Sequence, residues 1–290
     1  MSTACPVGAE AAGDAETATP AKARGAVDVP TAGEVEEKLP AGASLTGKEL
    51  YDRFLDNRDR LRTVFQRGRI ASKDPGGNAQ ETNFWLYAKD YRDADDKAVD
   101  GIRSKAIIKV TGPYEMRHTG YLHIERQDRG DEQFLYSPNR GRTARVSLKG
   151  QSVAGTDFSF DDFLVNVDDI EDADYKRLPD ETVQGLPCYV VEATMKPDAS
   201  SSYSRSIAYL EKEHYVPLKA RYWDEVGVEV KMMTSVHAKI REFDGAWVPT
   251  ESTVTDLLEG TSSTIYVDLL GPNPELADDE FSISRLEFRP

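Results

Sequence analysis

The sequence predicts an α+β domain built on a single large curled antiparallel sheet of about ten to twelve strands, with only a few helices. Three observations carry this. Short segments with period-two alternation of apolar residues recur from residue 82 to the C-terminus. Turn residues separate them at hairpin spacing, as at Lys196-Pro197-Asp198, Asp224 to Gly227, Asp244-Gly245 and Glu259-Gly260. After residue 44 no shift in composition divides the chain, so 45–290 reads as one domain.

Residues 1–44 are rich in Ala, Gly, Thr and Pro and contain no aromatic residue. Such a segment buries too little apolar surface to offset its ordering entropy, and a disordered tether is expected. Thr46 then suits a helix N-cap, with Glu49 three residues on and an apolar stripe of Leu50, Phe54 and Leu55 reaching toward Leu61. Strands are expected at 82–89, 105–111, 120–126, 133–136 and 143–148. Further strands are expected at 188–195, 204–210, 216–223, 228–240, 247–258 and 263–270, with a short one from Leu286 to Phe288.

Between the two groups lies Gly155-Thr156-Asp157-Phe158-Ser159-Phe160-Asp161-Asp162-Phe163. Ser159 suits an N-cap, and Asp162 at the third helical position can return a bond to the Ser159 amide. Asp161 and Asp162 favour the positive end of the helix dipole, and Phe158 and Phe163 occupy the staple positions. Gly155 frees the backbone before the turn.

Alternation selects an inward apolar set. Its first part is Ile108, Val110, Leu122, Ile124, Phe134 and Tyr136, joined by Phe158 and Phe160 of the turn. Its second part is Ile207, Tyr209, Leu218 and Tyr222, with Tyr189, Val191, Met232, Val254, Ile265 and Val267 alongside. A sheet this large with few helices to cover it suggests a partly unfilled interior, with the first twelve residues named here as candidate ligand contacts and a plain core as the other reading. His123, between Leu122 and Ile124, is expected on the polar face.

The net charge of −15 argues against nucleic acid as a partner. The four histidines, His118, His123, His214 and His237, show no metal-ligand spacing, and no nucleophile elbow, phosphate loop or dinucleotide fingerprint occurs. Asp161 and Asp162 are adjacent and diverge around a helix, so they do not form an acid–base pair. The expectation is a monomeric protein that is not an enzyme and uses no cofactor or metal. Cys188 lies in an apolar strand and is expected as a buried thiol.

The order of motifs resembles the outer-membrane lipoprotein-sorting family, relatives of the periplasmic carriers LolA and LolB. Phe134-Leu135-Tyr136-Ser137-Pro138 with Arg140-Gly141-Arg142 and Arg145-Val146 corresponds to its "YxP...grvrRi" strand. The turn at 155–163 corresponds to "GSDFSYEDL", with Thr156, Phe160, Asp161 and Phe163 in place of Ser, Tyr, Glu and Leu. Gly185-Leu186-Pro187-Cys188-Tyr189-Val190-Val191-Glu192 corresponds to "dgxpcyvie". The resemblance implies a half-barrel whose helices, here near Leu50–Phe54 and Phe160–Phe163, plug the concave face. It also implies a periplasmic carrier or acceptor of a lipid or lipoprotein acyl chain. An inner-membrane transporter is the second partner implied, and the alternative function is a docking module of an export pump without lipid cargo. Ser2-Thr3-Ala4-Cys5 looks like the end of a lipobox, which makes Cys5 a lipidation site and the protein membrane-tethered; an ordinary tail cysteine is the other reading. Residues 1–44 show neither the basic region nor the apolar core of a signal peptide.

Overall fold

The computed structural model describes residues 44–163, 172–197, 199 and 201–287. Cys5, the 1–43 segment, the acidic stretch 164–171 and Phe288 lie outside the described residues, as do the side chains of Asp161 and Phe163. The compact unit Leu45–Pro290 is described here through residue 287.

Helix α1 (Gly47–Arg58) starts as its sequence dictates. The Thr46 hydroxyl accepts from the Glu49 amide, and the Glu49 carboxylate accepts from the Thr46 amide at 2.7 Å. Leu50, fully buried, packs with Phe54 and Tyr51 against Tyr189, Val191 and Leu210. Burying a leucine contributes about 2 kcal/mol. Gly47 is needed for close approach: a Cβ there would sit 2.7 Å from the Arg177 backbone nitrogen.

The main sheet has thirteen strands. In spatial order they are β6 (Arg142–Arg145), β5 (Glu132–Ser137), β4 (Gly120–Arg126), β3 (Ile102–Gly112), β2 (Ala79–Asp90) and β1 (Thr63–Lys73). Then follow β15 (Ser262–Pro272), β14 (Glu251–Asp256), β11 (Glu229–Ser235), β10 (Pro217–Trp223), β9 (Arg205–Glu211), β8 (Leu186–Met195) and β7 (Ala173–Val183). Every pairing is antiparallel. The sheet curls without closing: Glu125 and Gln133 of β4 and β5 line one cavity with Ala173, Tyr175 and Met195 of β7 and β8, from near opposite ends of the strand order. The fold is the expected α+β half-barrel, and two of its strands fall where no strand was expected from the sequence.

Those two are β1 and β7. The segment expected as one strand over 228–240 is instead β11, a 3-10 turn at His237–Lys239, and β12 (Ile240–Phe243), and that expected over 247–258 is divided between β13 (Ala246–Pro249) and β14 in different sheets. Strand β12 pairs with β13 in a separate hairpin. Leu286 is not in a strand but in the short helix α3 (Ile283–Glu287).

Alternation fixes which side each residue takes, because directly paired residues share a face. On the concave side the registers link Val191, Ala208, Ala220, Met233, Val254 and Ser263 across β8, β9, β10, β11, β14 and β15. Farther along they link Ile265 with Ile70, and Phe84 with Val110. Helix α1 covers one part of this face and a lid formed by 146–163 covers another.

Candidate functional site

The lid is built around the turn singled out in the sequence. The Ser159 amide donates to Asp162 Oδ2 at 2.8 Å and the Asp162 amide donates to Ser159 Oγ at 3.3 Å, closing the capping box of the one-turn helix α2 (Phe160–Phe163). Gly155 has φ +74°, the left-handed conformation that glycine adopts without strain. Leu148, Val153, Phe158 and Phe160 are buried against Phe84, Ile108, Val110 and Tyr121, with the Phe160 and Tyr121 ring centroids 4.8 Å apart.

Two polar anchors fasten the lid. Ser263 Oγ donates to Asp157 Oδ2 at 2.5 Å. Asp162 Oδ2 pairs with Lys231 Nζ at 2.6 Å, and Asp162 Oδ1 accepts from the Tyr203 hydroxyl at 3.0 Å. Burial, with the Asp162 charge beside it, pushes the Tyr203 phenol far above its ordinary range. The Asp162 carboxylate thus serves the helix cap and the sheet together.

Where α1, the β12–β13 hairpin and the sheet meet, a cavity of about 380 Å3 remains. Leu86, Ala88, Ala106, Met233 and Leu270 line it from the sheet, with Val64 and Gln66 of β1. Phe54 and Trp247 line it from α1 and β13. Its size lies in the range of small-molecule sites, and its lining is largely apolar. Asp59, Asp90 and Arg92 line it too. Arg92 is 6 % exposed and bonds Asp59 Oδ2 at 2.9 Å, Asp90 Oδ2 at 2.8 Å and Asp96 Oδ1 at 2.5 Å, tying the β2–β3 turn to the end of α1.

A second cavity, about 420 Å3, lies between the two ends of the sheet. A polar wall separates the two. Ser104 and His123 line the first cavity, while their partners Glu125 and Asp131 line the second. Ser104 Oγ donates to Glu125 Oε2 at 2.7 Å, and His123 Nε2 lies 3.0 Å from Asp131 Oδ2. Burial raises the Glu125 carboxyl above its ordinary value, the Ser104 bond opposing it. Burial also acts to raise Asp131, but the His123 side chain and the Arg126 amide outweigh it and hold Asp131 low.

The expected inward residues divide into groups. Ile108 and Val110 are on the concave side, packed under the lid with Phe158 and Phe160, as are Val254 and Ile265. Tyr222 is also concave: it pairs with Lys231, and its ring lies 4.7 Å from Tyr203. For Leu122, Ile124, Phe134 and Tyr136 the expected direction is corrected. They lie on the outer face, clustered with Ile107, Phe281 and Leu286 beneath the C-terminal segment. The reason is that both faces of β3–β5 are covered, so alternation alone does not say which is concave. His123, expected on a wet face, is 3 % exposed and points inward. Ile207, Tyr209 and Leu218 cluster with Cys188, Val190 and Ile240. Their neighbours Ala208 and Leu210 take the α1 side, so Ile207 and Tyr209 face away from it. Cys188 is a buried free thiol whose pKa burial raises.

None of the twelve expected ligand contacts is among the residues lining the first cavity. The lining that sequence reasoning missed includes Val64, Leu86, Ala88, Met233 and Trp247. The alternation Phe84, Leu86, Ala88 was the available signal on β2. Among the described residues no cluster of His, Cys, Asp and Glu fits a metal ion, and no helix is long and apolar enough to cross a membrane.

Comparison with known proteins places this architecture. A family model described as that of an uncharacterized protein matches residues 103–288, more than half of the chain. A DUF1329 family protein from Desulfovibrio piger is similar at 25% identity and TM-score 0.73, covering 83% of this chain and 98% of that one. A Vibrio parahaemolyticus domain provisionally named as an outer membrane lipoprotein-sorting protein matches at 22% identity and TM-score 0.71, covering 83% and 98%. A LolA superfamily protein from Nitrosomonas europaea shares the fold at 17% identity and TM-score 0.61, covering 83% and 100%. No curated protein matches. The matched model covers more than half of the chain, which therefore belongs to that family of uncharacterized proteins, and its half-barrel is the fold shared with the lipoprotein-sorting domain and the LolA superfamily protein.

Proposed function

We propose that this domain is a non-enzymatic periplasmic carrier or acceptor that shields a lipid or lipoprotein acyl chain. The observation that carries the reading is the cavity of about 380 Å3 on the concave face, floored by Leu86, Ala88, Met233 and Leu270. The names of the similar structures support a carrier role and an extracytoplasmic setting. Burying acyl chain is worth ~0.8 kcal/mol per CH2, so about ten methylenes contribute roughly 8 kcal/mol. A ligand held so firmly does not leave for water. Delivery then needs a membrane or a second protein, such as an inner-membrane transporter, to receive it. Tethering through an acylated Cys5 would keep the carrier at that membrane.

The test is uptake of a fluorescent acyl probe by the full chain, with native mass spectrometry for co-purified lipid. Met233→Trp fills the cavity without adding charge and should weaken probe binding about tenfold or more, provided circular dichroism shows a native fold. Ile124→Met, on the outer face, should leave binding unchanged. No probe uptake at micromolar concentration and no co-purified lipid would remove the carrier reading in favour of a docking module.

A further inference from the structure

The second cavity has no role in the acyl site as described, yet it is of similar size and its lining carries both signs of charge. On one side Tyr51 of α1 and Tyr175 of β7 lie with ring centroids 4.6 Å apart. On the other, Glu125 is 7 % exposed. One of its oxygens accepts the Ser104 hydroxyl, and the other makes no hydrogen bond among the described residues. Asp131 and Asp172 add carboxylates to the same lining.

The cations are as prominent. Arg103, Arg126, Arg129 and Lys149 line the cavity. Arg126 and Arg129 converge on one carboxylate oxygen, Glu132 Oε1, at 2.8 Å each. Since each guanidinium carries five N–H donors, most of their donors remain for other acceptors.

We propose that this cavity is the headgroup compartment of the same site and takes a zwitterionic phosphoammonium group, so that the ligand is a phospholipid of the phosphocholine or phosphoethanolamine type. The proposal rests on the acyl-carrier reading. Charge complementarity selects the headgroup. A purely anionic group would face Glu125, Asp131 and Asp172; a purely cationic one would face three arginines and a lysine. A phosphoammonium group answers both, its phosphate bonding guanidinium N–H groups and its ammonium lying against tyrosine faces and the buried carboxyl.

The placement also fits. Tyr51 and Phe54 are neighbours on α1, ring centroids 5.5 Å apart, and line the second and first cavities respectively. The Ser104–Glu125 and His123–Asp131 bonds cross the wall between the cavities. A lipid straddling that wall has its polar–apolar junction there, with its tails on Leu86 and Met233. Burial raises the Glu125 carboxyl, and an ammonium beside it would reverse that bias.

The test is displacement of a fluorescent acyl probe from the full chain by dioctanoyl lipids differing only in headgroup. Dioctanoyl phosphatidylcholine and phosphatidylethanolamine should bind about tenfold tighter than dioctanoyl phosphatidylglycerol or dioctanoylglycerol. Glu125→Gln, which keeps an acceptor for Ser104, and separately Tyr175→Leu should each reduce that preference several-fold while leaving probe affinity unchanged. Equal affinity for all four lipids, or a preference untouched by both substitutions, overturns the headgroup assignment and leaves the acyl reading standing. Failure of the probe itself to bind overturns both. Free phosphocholine is the soluble arm: if it binds as tightly as the lipid, the cavity serves a soluble zwitterion and the lipid assignment falls.

Discussion

Lys231 Nζ on β11 lies 2.6 Å from Oδ2 of Asp162 on the lid, and the two side chains are only 10 % and 4 % exposed. Such a pair contributes less by its attraction than it costs when half of it is removed, because the remaining charge is left buried. Lys231→Met should therefore destabilise the domain by about 3 kcal/mol. The double change Lys231→Met with Asp162→Asn should recover part of that loss. Urea denaturation of both variants checks it, and Lys231→Met as stable as the parent would show that the pair does not hold the lid.

The capping box offers a smaller and more local effect. Ser159→Ala should cost about 1 kcal/mol. Phe158→Ala, which empties space in the packed core under the lid, should cost about 3 kcal/mol or more. Equal midpoints for the parent and both variants in guanidinium would contradict this account of the turn.

The outer face makes a third prediction. Leu286, fully buried in α3, packs with Ile107, Leu122 and Tyr136. Leu286→Ala should lower stability by about 3 kcal/mol. Acyl-probe affinity of the fraction that remains folded should be unaltered. A lowered affinity at intact fold would place this cluster in the binding path.

The polar wall sets a pH dependence with two opposite slopes. Glu125 has a folded pKa above its ordinary 4.5, so the folded state binds its proton more tightly. Its contribution is fully present below pH 4.5 and is lost as pH rises through the raised value. Asp131 has a folded pKa below its ordinary 3.8. Its contribution is present above that pH and is lost as pH falls through the lowered value. Glu125→Gln should flatten the loss of stability on the alkaline side of 4.5, and Asp131→Asn the loss on the acid side of 3.8. Thermal melts across pH 3 to 8 read both, and unchanged profiles would contradict the assignment.

Much of the fold was legible because local chemistry and alternation agreed. Thr46 with Glu49 and Ser159 with Asp162 form the boxes their spacing implies. Two strands escaped notice for physical reasons. In β1, Arg67 and Arg69 alternate with Gly68 and Ile70, so one face is polar and a glycine interrupts the other. In β7 the run Lys176-Arg177-Leu178-Pro179-Asp180-Glu181 reads as a loop; Pro179 lies where the register with β8 shifts, on the outermost strand, where a missing N–H is tolerated. The cavity was less legible than the sheet. It depends on which face of a strand the C-terminal segment covers, and Phe281 and Leu286 meet Leu122 and Tyr136 across more than a hundred residues of sequence.

The seam between β6 and β7 has a mechanical consequence. A barrel closed by a continuous ladder has its girth fixed by strand number and shear. This sheet ends at β6 on one side and β7 on the other. The distance between those ends can change without breaking a ladder bond, so a change in girth incurs no cost in backbone pairing. The same seam leaves two edge strands without a further strand neighbour in the sheet, of which β7 carries Lys176, Arg177, Asp180 and Glu181. Charges along an edge deter a second chain from adding to it.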